Sequence, residues 1–249
     1  ETVAITDTDS GDVNACARGG ADAALFTCTV TATQYVLAFE NAPDYDSNSA
    51  CAAGNSCVVT VTISDGVNTG ETITYTIALS DVNDQTPAVT VNANYATDEE
   101  TTVFQTFTIV DSDTTGTYDC TLGGNDAGDF TRTMSGKDCV VAWAAAPDAD
   151  AADADANGDG TYELTISFTD GTNVLGAQAT SITLVDTNDQ TPTYASAGNT
   201  PTVAEGTTAV ETVAITDTDS GDVNACARGG ADAALFTCTV TATQYVLAF

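Results

Sequence analysis

A perfect repeat is the feature that most constrains the fold of this chain. Residues 1–39 recur without a change as residues 211–249, which sets a period of 210 residues. Within that period, residues 15–46 align without a gap with residues 119–150, so each period contains two diverged halves. Half a period is an ordinary size for a β-sandwich domain. The sequence therefore predicts tandem domains and no single large core.

The repeat also predicts where the domains lie. We call the two alternating types A and B. Residues 1–86 are then a domain A without its first strand, residues 87–191 a complete domain B, and residues 192–249 the start of a second domain A. Because residue 1 falls inside a strand-like pattern, we expect the sequence to be part of a longer chain.

Alternation of apolar and polar residues indicates strands throughout. Residues 57–63, 162–168 and 213–215 alternate with a period of two, are rich in β-branched residues and are bounded by Gly, Asn and Asp. A helical period is hard to find anywhere. The prediction is an all-β fold of tandem Greek-key β-sandwiches, about seven strands each, arranged end to end as a rod.

Charge excludes several classes of function. The chain has 4 Lys and Arg against 36 Asp and Glu, a formal net charge of −32, and no His. Such a charge repels nucleic acid and anionic membranes. Without His the chain lacks the commonest general base and metal ligand, which argues against a zinc enzyme or a Ser-His-Asp hydrolase. No apolar run approaches the length of a membrane span.

The eight cysteines indicate an oxidising, extracellular compartment. Without His or a CxxC pair they are typical of disulfides, with reduced buried thiols as the alternative. Each pair flanks a loop, and the last pair is the exact copy of the first. The predicted disulfides are Cys16–Cys28, Cys51–Cys57, Cys120–Cys139 and Cys226–Cys238.

Acidic motifs recur in the same order in both halves. A Glu precedes the first strand, an Asp-x-Asp pair follows twelve residues later, a second Asp-x-Asp pair lies in mid-domain, and an Asp-Gly pair follows a later strand. Each half ends with an Asp-x-Asn-Asp-Gln-Thr-Pro linker, residues 81–87 and 186–192. Carboxylates, Asn carbonyls and an extended backbone are the oxygen ligands that Ca²⁺ prefers. A polar interdomain linker is the alternative, since Asp, Asn and Pro are ordinary turn residues.

With these motifs the chain resembles the cadherin-like repeats of bacterial and other secreted proteins. Residues 81–87 and 186–192 are similar to the Asp-x-Asn-Asp-Asn-x-Pro linker of that family, with Gln85 and Gln190 in place of the second Asn. Asp44-Tyr45-Asp46 is similar to the Asp-Tyr-Glu segment, with a shorter last acid. The resemblance covers nearly the whole chain, and it implies seven-strand Greek-key sandwiches with Ca²⁺ at each interdomain junction.

The resemblance implies one set of Ca²⁺ ligands at each junction. The first set is Asp44, Asp46, Asp81, Asn83, Asp84, Asp111, Asp113 and Asp170. The second set is Glu99, Asp148, Asp150, Asp186, Asn188, Asp189, Asp217 and Asp219. Equivalent ligand positions in the A domains are Asp7, Asp9, Asp65 and Glu205. The Glu of the first set is expected upstream of residue 1, and the Asp-Gly ligand of the second set is expected beyond residue 249.

Domain B carries one further acidic loop. Its residues Asp153, Asp155, Asn157 and Asp159 have the spacing that begins an EF-hand-type Ca²⁺ loop, with Gly158 in the sixth position. Leu164 stands where the bidentate Glu is expected, and the loop leads into a strand. The alternatives are an extra Ca²⁺ site and a flexible acidic loop.

Three classes of non-enzymatic function are compatible with these features. The first is an extracellular fibre, filament or adhesin stalk that Ca²⁺ rigidifies, whose partners are neighbouring repeats of the same protein. The second is a Ca²⁺-dependent adhesive or carbohydrate-binding module, for which Tyr35, Phe39, Tyr45 and Trp143 are the aromatic candidates. The third is a halophile surface protein whose acids serve solubility. An enzyme is disfavoured because paired acids recur at every junction, and an active site is not distributed in that way.

Overall fold

The computed structural model describes residues 1–8, 14–47, 50–150, 155, 160–195, 200–219, 221 and 223–249. Within these ranges the chain forms strands and three single 3₁₀ turns, Ala23–Leu25, Ala127–Asp129 and Ala233–Leu235, and no α-helix. The strands in chain order are β1 Thr2–Ala4, β2 Ala15–Gly19, β3 Phe26–Val30, β4 Gln34–Phe39, β5 Ser56–Ser64, β6 Thr69–Ala78, β7 Asn94–Asp98, β8 Val103–Thr108, β9 Asp119–Gly123, β10 Phe130–Ser135, β11 Asp138–Trp143, β12 Tyr162–Thr169, β13 Val174–Val185, β14 Thr193–Tyr194, β15 Ala209–Thr216, β16 Thr237–Val240 and β17 Gln244–Ala248. The all-β prediction is confirmed.

The chain divides into two compact units. Unit 1 consists of Glu1–Pro87 together with the loops Val110–Thr117 and Thr169–Val174. Unit 2 consists of Ala88–Ile109, Tyr118–Phe168 and Leu175–Phe249. The domain boundaries expected after residues 86 and 191 stay a prediction.

Unit 1 contains two three-stranded sheets, with strand orders β1-β4-β3 and β2-β5-β6. In both sheets neighbouring strands run antiparallel. The inward side chains of β5 alternate along the strand, as a half-buried strand requires: Cys57, Val59 and Val61 are buried. They pack against Phe26 and Leu37 of the other sheet, so the core lies between the two sheets.

In unit 2, seven strands of the described chain form a second pair of sheets, with orders β7-β13-β12-β9 and β10-β11-β8. The first and last of these strands run parallel, with Asn94 opposite Ser181 and Asp98 opposite Val185. The core is more aromatic than that of unit 1. Phe130 stacks on Trp143 with ring centroids 4.3 Å apart, within a buried cluster drawn from both sheets.

The remaining strands of unit 2 form a four-stranded sheet of order β14-β15-β17-β16. Its registers repeat those of the identical residues in unit 1. Val213 lies opposite Tyr245, as Val3 lies opposite Tyr35. The sequence of β2, however, forms no strand in the second copy, at residues 225–229.

Disulfide bonding of the cysteines is confirmed. Cys16 bonds to Cys28 and joins β2 to β3, while Cys51 bonds to Cys57 at the start of β5. Cys120–Cys139 joins β9 to β11, and Cys226–Cys238 completes the set. Two of these bonds join separate strands, and all four restrict the unfolded chain.

One element differs from the sequence prediction. Glu99 was expected just before the first strand, but β7 precedes it, so Glu99 lies between the first two strands of its domain. β7 is short, begins with Asn94 and ends with Asp98, and it pairs with the distant β13. A local pattern cannot predict such long-range pairing. The turn that follows contains Glu100 at φ 59°, and its equivalent in the second A domain is Gly206 at φ 84°.

Candidate metal centres

The first cluster of carboxylates lies entirely within unit 1. Ligand atoms of Asp46, Asp84 and Asp113 lie within 4.8 Å of one another. The same distance limit holds for Asp111, Asp113 and Asp170. Asp113 therefore joins the two groups, and it and Asp170 are each only 1% exposed.

Backbone amides hold this first cluster together. The Gln85 backbone N–H donates to Asp113 Oδ2 at 2.9 Å, so the linker after β6 is tied to the loop after β8. The Thr114 backbone N–H donates to Asp81 Oδ2 at 2.6 Å, and the Thr114 hydroxyl donates to the same oxygen. Charge-assisted bonds of this kind fix the loops in place while leaving other carboxylate oxygens to face inward.

Within this cluster the pKa of one aspartate is raised and the pKa values of two others are lowered. Burial, with the nearby carboxylates of Asp113 and Asp81, raises the pKa of Asp46 to about 6. The hydrogen bond from the Thr114 hydroxyl lowers the pKa of Asp81. Burial raises the pKa of Asp170, but hydrogen bonds from the backbone of Asn173 and Thr172 outweigh it and leave that pKa lowered. Hydrogen bonds thus favour the ionised form of Asp81 and Asp170, whereas burial and neighbouring carboxylates disfavour it for Asp46.

Neutral residues complete the first cluster. The Asn173 amide donates to Asn83 Oδ1 at 2.9 Å, and the Asn83 amide donates to the Thr115 carbonyl at 3.1 Å. Gly116 fits between them: a Cβ there would lie 3.1 Å from the Asp170 carbonyl oxygen and 3.3 Å from the Asn83 amide nitrogen. A side chain at position 116 would push the two loops apart.

The second cluster lies entirely within unit 2 and repeats this plan. Ligand atoms of Asp150, Asp189 and Asp219 lie within 4.8 Å of one another. The Gln190 backbone N–H donates to Asp219 Oδ2 at 2.9 Å, as Gln85 does to Asp113. Burial raises the pKa of Asp150 to about 6, and the hydrogen-bonded carboxylate of Asp219 adds to that shift.

Glu99 extends the second cluster. Its ligand atom lies within 4.8 Å of those of Asp148 and Asp150. The backbone N–H groups of Thr187 and Ala149 each donate to one of its carboxylate oxygens at 2.6 Å, and these bonds hold the pKa of Glu99 below its usual value. Glu99 is 4% exposed, so an ionised carboxylate is held at the base of the cluster by two loops at once.

The donor set fits a hard divalent cation. Several buried carboxylate oxygens of these clusters have no hydrogen-bond partner, which is costly for a charged group. They are Asp46 Oδ1, Asp81 Oδ1, Asp150 Oδ2, Asp217 Oδ1 and Asp219 Oδ1. Each belongs to a residue that the sequence predicted as a ligand. A Ca²⁺ ion takes six to eight oxygen ligands and would satisfy such oxygens, whereas zinc would want His or Cys.

The structure also places Asp44, Asp148 and Asp186. Asp44 and Asp148 shape their turns, since each accepts a hydrogen bond from the backbone of the residue two places later, at 3.0 and 2.9 Å. The charge of Asp186 acts on both Glu99 and Asp150, so it belongs beside the second cluster. No spatial group of three acids or cysteines among the described residues includes Asp7, Asp65 or Glu205, and their role as ligands stays a prediction.

The EF-hand-type loop is only partly visible. Asp153, Asn157 and Asp159 lie outside the described residues, as does Asp9 of the first domain. Asp155 is described: it is 8% exposed, and its carboxylate accepts a hydrogen bond from the Gly160 backbone. The extra Ca²⁺ site therefore stays a prediction.

The sequence did not identify the residues that position the ligands. Thr114, Thr187 and Asn173 contact acids or amides 33 to 90 positions away along the chain. The Gln that replaces Asn in each linker has a role of its own. The side-chain amides of Gln85 and Gln190 donate to Asp84 and Asp189, both at 2.8 Å. The recurrence of Gln in both linkers was the one signal that could have indicated it.

Solved structures with the same fold are multidomain cadherin ectodomains. Protocadherin Gamma B2 extracellular cadherin domains 1–5 match the whole chain at 14% identity, with a TM-score of 0.59 and 49% of that chain covered. Protocadherin Gamma B7 domains 1–4 match 97% of the chain at 17% identity, with a TM-score of 0.59 and 63% of that chain covered. Mouse Protocadherin-24 EC1-3 matches 93% at 18% identity, with a TM-score of 0.56 and 76% of that chain covered.

These matches define the class of fold as cadherin-like β-sandwich domains, as the resemblance implied. The chain spans about half the length of the first of these structures. No family model matches the sequence. No curated protein matches it either. Among the described residues, none belongs to a helix long and apolar enough to cross a membrane.

Proposed function

We propose that the chain is an extracellular structural repeat that Ca²⁺ rigidifies, and that such repeats form a fibre, filament or adhesin stalk. The observation that carries this proposal is the recurrence of one arrangement in two places. Asp46 and Asp150 hold equivalent positions, and each has a buried carboxylate oxygen without a hydrogen-bond partner and a pKa of about 6. Solvated acidic loops give no reason for such an arrangement to recur.

Electrostatics explains how calcium would act. Like charges about 4 Å apart repel by about 1 kcal/mol in water and by several times more where they are partly buried. The acids of each cluster come from loops that are far apart in sequence, so this repulsion drives the loops apart. A bound divalent cation attracts all of these carboxylates and turns the net repulsion between the loops into attraction. With the domain boundaries at 86/87 and 191/192, each ligand set draws on two successive domains, and the cation would fasten one to the next.

The proposed location is outside the cell, with neighbouring repeats as partners. Four disulfides support an oxidising compartment. The structures that share the fold are described as extracellular cadherin domains, and one as a cis-dimer. Extracellular Ca²⁺ modules typically bind with Kd on the order of 10⁻⁴ to 10⁻³ M. Extracellular calcium is concentrated enough to occupy sites of this affinity. We propose no catalytic activity.

A Ca²⁺-dependent adhesive module is the second candidate, and the cis-dimer among the structures of the same fold favours it. Carbohydrate binding is less well supported. Trp143 is 6% exposed and Tyr35 2%, and Phe39 packs against the core of its unit. The aromatic side chains that could have stacked on a sugar are therefore largely inside the protein.

Two aspartates in the same kind of turn provide the test. Asp170 and Asp65 each accept hydrogen bonds from the backbone two and three residues later, but only Asp170 lies in a cluster. Asp170→Asn should weaken calcium binding at the first cluster about tenfold or more, and Asp65→Asn should leave that cluster unchanged. Isothermal titration and X-ray scattering with calcium or with EGTA measure affinity and dimensions. Dimensions indifferent to EGTA would contradict the mechanical role.

A further inference from the structure

Two disulfides join strands of facing sheets, and they differ in their access to solvent. Cys16 lies in β2 and Cys28 in β3, which belong to different sheets of unit 1, and both cysteines are half-buried. In unit 2 the bond Cys120–Cys139 joins β9 to β11 in the same way, but both of its cysteines are fully buried. The Met134 sulfur lies 3.5 Å from Cys120 Sγ. A dissolved thiol therefore has access to the first bond and not to the second.

The difference in access comes from a change of bonding partner between the two halves of the repeat. Cys16 aligns with Cys120, but Cys28 aligns with Arg132. Arg132 forms an ion pair with Asp119, which links β10 to β9 at the edge where unit 1 has its disulfide. Cys120 bonds instead to β11, the central strand of its sheet. Unit 2 thus closes this edge with charge and keeps its disulfide in the core, whereas unit 1 closes the edge with the disulfide itself.

One basic side chain lies beside the accessible disulfide. Arg18 is the only Lys or Arg among residues 1–86, and it is exposed. It follows Cys16 by two positions in β2, so the two side chains point to the same side of the strand, about 7 Å apart. The Arg18 guanidinium donates to the Ala23 carbonyl at 3.3 Å, which holds it near the turn that leads into β3. The aligned residue in the other half is Leu122. A cation here attracts an anionic thiol and stabilises a thiolate on Cys16.

We propose that Cys16–Cys28 is a thiolation site, at which a small anionic thiol enters by thiol–disulfide exchange. The incoming thiolate attacks Cys28 Sγ, the bond between the two cysteines breaks, and its electron pair stays on Cys16 Sγ beside Arg18. The products are a mixed disulfide on Cys28 and a thiolate on Cys16. One disulfide is lost and one is formed, so the exchange needs no oxidant and no further reductant.

Exchange at this site opens one edge of the sandwich in unit 1. Among the described strands, β2 and β3 are each at the edge of their sheet. The other disulfide of unit 1, Cys51–Cys57, closes only a local loop and joins no two strands. After exchange no disulfide joins the two sheets of unit 1, while Cys120–Cys139 still joins those of unit 2. A thiol therefore loosens one type of domain and leaves the other closed.

Incubation of the full chain with glutathione tests the site. Since Cys226 and Cys238 repeat this pair exactly, Cys226→Ala with Cys238→Ala leaves a single copy to observe. Alkylation of free thiols followed by peptide mapping in a mass spectrometer locates the adduct. We expect glutathione on Cys28 and an alkylated Cys16, formed at least about tenfold faster than any adduct on the disulfide of unit 2. Equal rates at the two disulfides, or an adduct that forms first at Cys51–Cys57, overturn the proposal.

Removal of single positive charges tests the role of Arg18. We expect Arg18→Gln to slow exchange with glutathione about threefold, and exchange with the neutral thiol mercaptoethanol by less. Lys137→Gln removes the same charge from unit 2 and should leave both rates unchanged. Equal slowing in the two variants, or an adduct on Cys16 in place of Cys28, overturns the role of Arg18.

Hydrogen exchange measures the opening of the edge. We expect the glutathione adduct to lose protection in β2 and to keep it in β9 and β12. Unchanged protection in β2 overturns the conformational part of the proposal. The same results are expected with calcium and with EGTA, because neither cysteine belongs to a carboxylate cluster. The calcium proposal and this one can therefore fail separately.

Discussion

The first and second carboxylate clusters share three motifs and differ in the acid that completes them. Both contain an Asp-x-Asp pair before the linker, the linker itself and an Asp-x-Asp pair after it. The first adds Asp170 from an Asp-Gly turn, and the second adds Glu99 at its base. Despite this, the Gln85 and Gln190 backbone N–H groups donate to Asp113 and Asp219 at the same distance, 2.9 Å.

The comparison teaches which motifs build the site. The shared three bring the carboxylates together in both clusters, because backbone amides of one loop bind the carboxylates of another. Glu99 and Asp170 each add one more carboxylate to an arrangement that the shared motifs already form. Substituting either acid should change the calcium affinity of its own cluster and leave that of the other cluster unaffected. This expectation can be tested variant by variant.

The largest effect is expected from Glu99→Gln. The amide has one acceptor oxygen where the carboxylate has two, so the backbone of either Thr187 or Ala149 loses its partner, and the cluster loses a charge. We expect calcium binding at the second cluster to weaken by about 100-fold, at the upper end of what supporting groups contribute. Isothermal titration in an Asp170→Asn background isolates that cluster. Glu100 is exposed and adjacent in sequence, so Glu100→Gln is the control. An equal loss of calcium affinity in that variant would contradict the role of Glu99.

Acidification should affect both clusters alike. The pKa values of Asp46 and Asp150 are both about 6, so each is mostly ionised at pH 7 and mostly protonated at pH 5. Since Ca²⁺ needs the ionised form, affinity should fall about tenfold between these pH values. The calcium-free protein should respond in the opposite way. Both pKa values lie above the unfolded value, so its stability should rise as pH falls through 6 toward 4.

Calcium titrations and thermal melts in EGTA across this pH range separate the two responses. A calcium affinity that does not change between pH 7 and pH 5 would contradict the assignment of Asp46 and Asp150 as ligands. A pH response in only one cluster would break the equivalence of the two.

The smallest effect is expected from Asn173→Ala. Asn173 positions Asn83 in the first cluster by a 2.9 Å hydrogen bond. Its counterpart Asn68 donates a side-chain hydrogen bond to Asp65, the aspartate of its own turn, at 3.2 Å. We expect a loss of calcium affinity of up to about tenfold in the first cluster for Asn173→Ala and none for Asn68→Ala. Terbium luminescence measures both, and equal behaviour of the two variants would remove Asn173 from the site.

Much of the fold followed from spacing, whereas the set of expected ligands followed from the resemblance to cadherin-like repeats and stays a prediction. The period-two runs predicted strands, and the cysteine spacing predicted disulfides. Acids that recur in the same order predicted which residues would meet. The contacts made by Thr114 and Asn173 could not be predicted, because they join positions 33 and 90 residues apart. Each depends on loop geometry that a single sequence does not show.

The repeated segment shows the same limit from another side. Residues 15–19 form β2 and residues 225–229 form no strand, although the two sequences are identical. β2 is paired along its length with β5, and the second copy has no such neighbour in the described chain. Strand formation here depends on the partner and not on local propensity. A sequence pattern can therefore predict that a segment is able to form a strand, but not that it does.

The parallel pairing of β7 with β13 has a mechanical consequence. Tension applied between the two ends of this domain pulls β7 backward and β13 forward along the same line. Residues 94–98 and 181–185 then slide against each other, and all the hydrogen bonds between them carry load at once. In an antiparallel pair loaded at one end, the hydrogen bonds would instead break one after another. This domain is thus built to resist stretching, with its first and last strands as the clamp.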